Sequence, residues 1–159
     1  MKVTLICVGA LKEAYYRAAA AEYLKRLRPY AQVSVYEVAE ERPPANPSAA
    51  DEAAVRDREA ERVAKLIPPG SFVVALAIEG RQRSSEDLAE WIQQLQVQGQ
   101  SHLCLIIGGS TGLSPTLDGV IATKWSFGLI TLPHQLARIV LLEQIYRAFK
   151  IMRNEPYHK

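Results

Sequence analysis

Residues 71–78, SFVVALAI, form a continuous apolar run that restricts the fold classes this chain can adopt. A strand has this composition when both of its faces are covered, as in parallel sheets flanked by helices on each side. Two further apolar runs, KVTLICV and HLCLII, begin at residues 2 and 102, and AQVSVYEV is a weaker strand candidate. Helical patterns separate these runs. The sequence therefore predicts an α/β fold with a mainly parallel sheet.

Capping signals mark where two of the helices begin. Ser84 precedes Asp87 by three residues, which predicts an N-cap, and Gly99 supplies a C-terminal stop. Between them the spacing i, i+3, i+4, i+7 is kept by Leu88, Trp91, Ile92 and Leu95. Ser48 and Asp51 repeat the capping pattern after the proline-rich loop ERPPANPS. The helix that follows is predicted to bury a stripe formed by Ala60, Val63, Ala64 and Ile67.

The composition places the chain among globular proteins. It has 159 residues, of which 48% are hydrophobic and 23% charged, enough for one domain with a real core. No apolar run approaches the roughly 20 residues of a membrane-spanning helix, and the N-terminus turns polar without a cleavage site, so we expect a cytoplasmic protein. Cys7 and Cys104 each lie in an apolar run, which predicts buried free thiols rather than a disulfide framework or a zinc site.

The net charge of +2 is small, but the charges are distributed unevenly. From residue 120 onward only Glu143 and Glu155 oppose six cations, namely Lys124, Arg138, Arg147, Lys150, Arg153 and Lys159. A basic end on a near-neutral protein is typical of a local patch for an anionic partner, most often RNA. A solvated surface helix explains the same charges equally well.

The run HLCLII leads into a glycine-rich turn, IIGGSTGLSP, at a place where α/β sheets bind ligands. A P-loop needs a lysine directly after its glycines, and here none occurs before Lys124. The dinucleotide fingerprint also fails, because the order is G-G-x-x-G. Two interpretations remain open: the glycines only allow a tight turn, or they let the backbone approach a ligand that carries no phosphate.

The last helix, beginning near Pro133, is apolar on more than one side. One stripe contains Leu136, Ile139 and Val140, and the other Leu141, Leu142, Ile145 and Ile151. A helix with two apolar faces needs two partners. We expect the sheet to cover one face and a second copy of the chain to cover the other, since isologous dimers are the commonest assembly.

Three stretches together carry a family resemblance: IGGSTGL, FGLITLPHQLARIVLLEQIYRAFKI and the terminal YHK. With LAIEGRQRSSEDLA, they resemble the bacterial methyltransferases that modify N3 of a pseudouridine in large-subunit ribosomal RNA, members of the SPOUT superfamily. The resemblance covers the whole chain in length and element order, with specific motifs from about residue 72. It implies one domain over residues 1–159, helices on both faces of the sheet, and a C-terminal trefoil knot within about 72–155.

The resemblance further implies a homodimer that binds S-adenosylmethionine (SAM) at the knot, without a metal, and acts on ribosomal RNA in the assembled ribosome. Carried onto this chain, the cofactor positions are Leu76, Gly108, Phe127, Gly128, Leu129, Ile130, Thr131 and Leu132. Their residue types suit the ligand. SAM has no phosphate and needs no P-loop lysine, and adenine can be held by backbone groups that leave little side-chain signature.

Methyl transfer to nitrogen requires two positioned substrates and removal of the N3 proton. A histidine with a pKa near ~6.5 is a weak base for this proton, so His158 and Tyr157 are expected to hold and polarise the base. Arg153 is expected to stabilise the developing oxyanion. RNA contacts are assigned to Arg147, Lys150 and Lys159, with Arg153, Lys12 and Arg17 adding charge.

The tail follows a helix of about 20 residues, or about 30 Å, so we expect the tail of one subunit to complete the pocket of the other. The main alternative to an enzyme is a non-catalytic ribosome-binding module on the same fold. A nucleotide-binding hydrolase is a weaker alternative, because the sequence has no serine elbow, paired carboxylates or metal cluster.

Overall fold

The structure, a computed structural model, describes residues 1–157 of the chain. It contains five strands, β1 Lys2–Val8, β2 Gln32–Val38, β3 Phe72–Gln82, β4 His102–Ile107 and β5 Thr123–Ser126. The helices are α1 Ala14–Leu27, α2 Ala49–Ala64, α3 Ser85–Val97 and α4 His134–Met152, with one 3-10 turn at Pro115–Leu117. None of the helices in the described part is long and apolar enough to cross a membrane.

The strands form one sheet in the order β2-β1-β4-β3-β5, and every neighbouring pair is parallel. Three helices cover one face, where α1, α3 and α4 pack on Leu5 and Cys7 of β1. Helix α2 and the 3-10 turn cover the other face, where they pack with Ile6 and Val8. The predicted α/β fold, with a parallel sheet and helices on both faces, is confirmed.

Both predicted capping boxes are present. The hydroxyl oxygen of Ser48 accepts from the Asp51 amide, that of Ser84 accepts from the Asp87 amide, and each aspartate accepts from the backbone amide of its serine. The predicted stripe of α2 is partly wrong, because Ala64 is exposed. The buried side chains of this helix are instead Val55, Glu59, Ala60 and Val63. The stripe begins about one and a half turns earlier, at Val55, and includes a carboxylate, which hydrophobic periodicity cannot indicate.

The two cysteines are buried free thiols, as predicted. Burial raises the pKa of Cys7 to about 12 and that of Cys104 to about 11. Thiols held protonated in this way are poor nucleophiles, so both behave as small core residues.

Strand β3 continues beyond the predicted apolar run. Trp125 of β5 pairs with Leu76 and again with Arg81, so the four residues 77–80 between them leave the ladder. Gly80 lies so close to β5 that a Cβ there would be 2.5 Å from the carbonyl carbon of Trp125. The absence of a side chain at Gly80 thus allows the strand to rejoin its neighbour after the bulge.

Helix α4 shows the two-sided apolar character expected from its sequence. Its buried side chains include Leu141, Leu142 and Ile145, which pack on the sheet side. The other apolar stripe of α4 is only half-buried within one chain. It contains Leu136, Ile139 and Val140. Arg138, counted above among the cations of a basic patch, is instead 2% exposed and therefore contributes no surface charge.

Candidate functional site

A cavity of about 960 Å³ opens at the carboxyl ends of β3, β4 and β5. Ligand sites in parallel sheets occur at this edge, and the volume is in the range of small-molecule sites. The wall is built by residues 75–79, 107–115, 124–128 and 130–134, with Arg56, Asp118, Ile121 and Ala137. The ends of the predicted runs SFVVALAI and HLCLII therefore meet in one place, together with the segment after β5.

The glycine turn forms one wall. The Gly112 amide donates to the Gly109 carbonyl at 3.0 Å, and Gly112 has a φ of +82°. A Cβ on Gly108 would lie 2.9 Å from Cγ of Leu113, a contact within the turn itself. The tight-turn interpretation is thus correct for the packing of Gly108. It coexists with the ligand interpretation, because Gly108 also lines the cavity.

The segment after β5 forms the opposite wall. The Ser126 hydroxyl oxygen accepts from the Gly128 amide at 3.1 Å and donates to the Gly128 carbonyl at 3.0 Å. Gly128 has a φ of +118°, a conformation that disfavours other residues. The turn is held by its own contacts, while the apolar side chains of Phe127 and Ile130 line the cavity.

The structure brings seven of the eight predicted cofactor residues together at this cavity: Leu76, Gly108, Phe127, Gly128, Ile130, Thr131 and Leu132. It does not bring Leu129 there. That side chain lies outside the lining and is 86% exposed.

Charged groups at the cavity were missed by sequence reasoning. Lys124 Nζ lies 3.2 Å from Asp118 Oδ1 and 3.6 Å from Glu79 Oε1. The hydrogen bond to Asp118 raises the pKa of Lys124. The sequence placed Lys124 in a basic patch, and no signal in it showed that these two acids would meet the lysine. A phosphate at Lys124 would have to compete with both carboxylates.

The N-terminal part of α4 is fixed by polar contacts to β2 and to Gly9, which follows β1. Arg138 donates to Glu37 Oε1 at 2.6 Å and to the Gly9 carbonyl at 2.8 Å. His134, which lines the cavity, lies 3.4 Å from Glu40 Oε1. A Cβ on Gly9, which has a φ of +95°, would be 2.7 Å from the His134 ring. This packing orients His134 and favours structural placement over catalysis.

The described tail residues lie away from the cavity of their own chain. Tyr157 donates to Glu143 Oε1 at 3.0 Å, and Arg147 stacks over the Tyr157 ring with its guanidinium carbon 4.7 Å from the centroid. Burial raises the pKa of Tyr157, which keeps its hydroxyl protonated. The guanidinium of Arg153 lies 4.7 Å from the Tyr30 ring centroid. His158 and Lys159 lie outside the described residues.

The two described cations assigned to RNA have acidic partners. Arg147 Nε donates to Glu143 Oε1 at 2.9 Å, and Lys150 Nζ lies 2.5 Å from Glu155 Oε2. Among residues 1–157, no group of three histidine, cysteine, aspartate or glutamate side chains is arranged to hold a metal ion.

A single α/β domain with a five-stranded parallel sheet and a cavity beside the strand ends fits a methyltransferase of the SPOUT class. The family model described as "Predicted SPOUT methyltransferase" matches residues 1–158, and the chain belongs to this family.

Relatives match over the full length of this chain. The protein named ribosomal RNA large subunit methyltransferase H from Carboxydothermus hydrogenoformans is 51% identical, with 100% of both chains covered. Proteins of the same name from Bifidobacterium adolescentis and Bacillus pumilus are 52% and 47% identical, again over 100% of both chains. The resemblance stated from the sequence is confirmed at the level of the family.

A solved structure supports the fold. A probable methylase family protein from Haemophilus influenzae superposes with a TM-score of 0.51 at 14% identity, over 99% of this chain and 70% of the other. At that identity the likeness concerns the fold alone.

Proposed function

We propose that this protein is a SAM-dependent methyltransferase that methylates N3 of a pseudouridine in large-subunit ribosomal RNA. It works as a homodimer on the assembled ribosome, in the cytoplasm. The observation that carries the proposal is the convergence of three strand-end loops on one cavity, in a chain whose full-length relatives are named ribosomal RNA large subunit methyltransferase H. All the lining residues except Arg56 lie within residues 72–155, to which we assign the knot.

The cavity suits SAM better than a nucleotide phosphate. Its lining is mainly apolar, and the segment 127–132 offers backbone donors and acceptors to an adenine. Glu79 and Asp118 offset the charges of Lys124 and Arg56, so the lining carries no excess of positive charge to attract a phosphate. SAM supplies an electrophilic methyl group on a positively charged sulfonium. The chain itself must therefore hold the cofactor and align the target nitrogen.

The tail supplies the groups that hold the base. Tyr157, kept protonated, acts as a hydrogen-bond donor rather than as a proton acceptor. We assign His158 to the same task, and Arg153, which is exposed, to the oxyanion that develops on the pyrimidine. The roles of these three residues are proposals carried by the family resemblance and by their chemistry.

The RNA surface is modest in charge. Arg147 and Lys150 share their charge with Glu143 and Glu155, so the free cationic charge of this region is smaller than a count of its basic residues indicates. Binding to naked RNA should be weak and salt-sensitive, because it depends on few phosphate contacts. The assembled ribosome would have to present the target nucleotide.

Ile130→Arg is expected to raise the Kd for SAM at least tenfold, because a charged side chain would enter an apolar wall. Ile130 is 70% exposed, so the variant should fold. Val120→Arg is the matched control: Val120 is also exposed and apolar, but lies outside the lining. Titration calorimetry with SAM measures both variants. If Ile130→Arg and Val120→Arg bound SAM with equal affinity, the assignment of this cavity as the SAM site would be wrong.

The same titration separates enzyme from binding module. If the unaltered protein takes up no SAM, the non-catalytic ribosome-binding alternative is favoured. If it binds SAM, methyl-transfer assays on ribosomes with and without the pseudouridine identify the substrate. Methylation of both ribosome preparations would contradict the assigned nucleotide.

A further inference from the structure

Helix α2 contacts the glycine turn through one short stretch of its sequence. Arg56, Asp57 and Glu59 all lie on the side of α2 that faces residues 108–114. Sequence reasoning gave this helix no functional role. Its contacts with the turn therefore raise the question of what it does for the cavity on the other side of that turn.

The strongest contact joins Asp57 to Ser114. The Ser114 hydroxyl donates to Asp57 Oδ1 at 2.5 Å, and its oxygen accepts from the Thr116 amide at 3.2 Å. Ser114 is 2% exposed and lines the cavity, whereas Asp57 is exposed. A hydrogen bond to a carboxylate is stronger than one between neutral groups. Asp57 thus fixes the rotamer of the serine that ends the glycine turn.

Glu59 contacts the other end of the turn. Its side chain is 4% exposed, and a Cβ on Gly109 would lie 3.2 Å from Oε2 and 3.3 Å from Oε1. Oε2 accepts from the Glu41 amide at 3.1 Å, while Oε1 has no hydrogen-bond partner within residues 1–157. A side chain at position 109 would crowd this carboxylate, so the glycine allows the turn to pack closely on it.

The middle of the turn has a third, longer contact, from Arg56 Nη1 to the Thr111 carbonyl at 3.4 Å. Helix α2 is itself anchored, since Arg62 pairs with Glu41 and donates to the Ala39 carbonyl at 2.8 Å. The beginning, middle and end of the turn are therefore each touched by a helix that is itself tied to residues 39 and 41, in the segment after β2.

We propose that Asp57 is a positioning residue for the cofactor cavity. Through Ser114, and together with Glu59 beneath Gly109, it holds the glycine turn in the conformation that admits SAM. The proposal rests on the proposed function for the identity of the ligand. The conformation of the turn does not depend on the proposed function, because it can be measured in the free protein.

Hydrogen exchange of the free protein tests the conformational part. Asp57→Ala is expected to speed exchange of the amides at 109–114 at least fivefold, because the Ser114 side chain loses its anchor. Asp87→Ala is the matched control, since it removes a helix-bound aspartate from α3, far in sequence from the turn. It should lower the melting temperature without changing exchange at 109–114. Unchanged exchange in Asp57→Ala overturns the proposal whether or not SAM is the ligand.

SAM affinity tests the functional part. Asp57→Ala should raise the Kd and the KM for SAM about tenfold, with kcat at saturating SAM within twofold. Asp57→Asn should restore most of the affinity, because its amide oxygen still accepts from Ser114. A general loss of structure would not be rescued in this way.

A double-mutant cycle shows whether Asp57 acts through Ser114. In the Ser114→Ala background, Asp57→Ala should change the Kd for SAM less than twofold, since the bond it removes is already absent. Additive effects of the two substitutions would overturn the assigned route. If the unaltered protein binds no SAM, the proposed function fails, and the exchange experiment alone decides the role of Asp57.

Discussion

Gly80→Ala is expected to lower the free energy of unfolding by about 3 kcal/mol and the melting temperature by about 10 °C. The new Cβ would lie 2.5 Å from the carbonyl carbon and 2.7 Å from the oxygen of Trp125. Both are backbone atoms, which cannot rotate away as a side chain can. The strands would have to separate where β3 rejoins β5 after its bulge. Thermal and urea unfolding followed by circular dichroism measure the loss.

Gly119→Ala is the control for this experiment. A Cβ there would meet nothing within 4 Å, and Gly119 has no positive φ. The same chemical change should therefore alter stability by less than about 0.5 kcal/mol. Equal losses in the two variants would show that the close approach of Gly80 to Trp125 does not govern stability. Because residues 77–79 line the cavity, Gly80→Ala should also weaken SAM binding.

The sequence was sufficient to predict the architecture because its signals are local. An apolar run such as SFVVALAI is long enough to indicate a strand covered on both faces, and Ser84 with Asp87 marks a helix start within four residues. Parallel strands then bring their carboxyl ends to one edge, so the position of the cavity follows from the order of elements.

Features that depend on partners distant in the sequence could not be predicted. Arg138 counts as a surface cation until its contacts with Glu37 and Gly9 are seen, 101 and 129 positions away. Glu59 interrupts the apolar stripe of α2, and the two groups it contacts, the Glu41 amide and Gly109, lie far from it in sequence. The bulge before Gly80 likewise could not be predicted, because it is defined by the pairing of β3 with Trp125 of β5. Each case joins a polar or glycine residue to a group that no local pattern identifies.

The described tail residues Arg153 and Tyr157 do not line the cavity of their own chain. His134 lies at the cavity, and α4 extends for 19 residues from there, about 28 Å. Arg153 follows the end of this helix, and Tyr157 contacts Glu143, nine positions after His134. If these residues hold the target base, we expect them to do so at the cavity of a second copy in the proposed homodimer. The partly covered stripe at Leu136, Ile139 and Val140 offers a surface for the second copy.

His158→Ala and Tyr157→Ala are each expected to lower kcat about a hundredfold, while the Kd for SAM changes less than twofold. The loss is in kcat because these groups are assigned to the target base and not to the cofactor. Single-turnover methylation of ribosomes and SAM calorimetry measure the two quantities. Full turnover in His158→Ala with unchanged SAM affinity would contradict its assignment.

Mixed dimers test whether the tail acts in the partner subunit. Two chains with different purification tags are co-expressed, one carrying Ile130→Arg and the other Tyr157→Ala. With SAM held well below the Kd of the unaltered protein, each homodimer should keep about a tenth of the activity or less. The mixed dimer should recover about half of the unaltered activity, because one intact cavity then meets one intact tail.

The decisive arm places both substitutions on one chain and pairs it with an unaltered chain. If the tail completes the partner's cavity, this dimer should be nearly inactive: the intact cavity receives the altered tail, and the intact tail reaches the altered cavity. If each chain works alone, the unaltered chain keeps its full activity, and the first mixed dimer stays inactive. The two models therefore predict opposite results from the same set of variants. SAM titration of each mixed dimer checks that it retains one functional cavity.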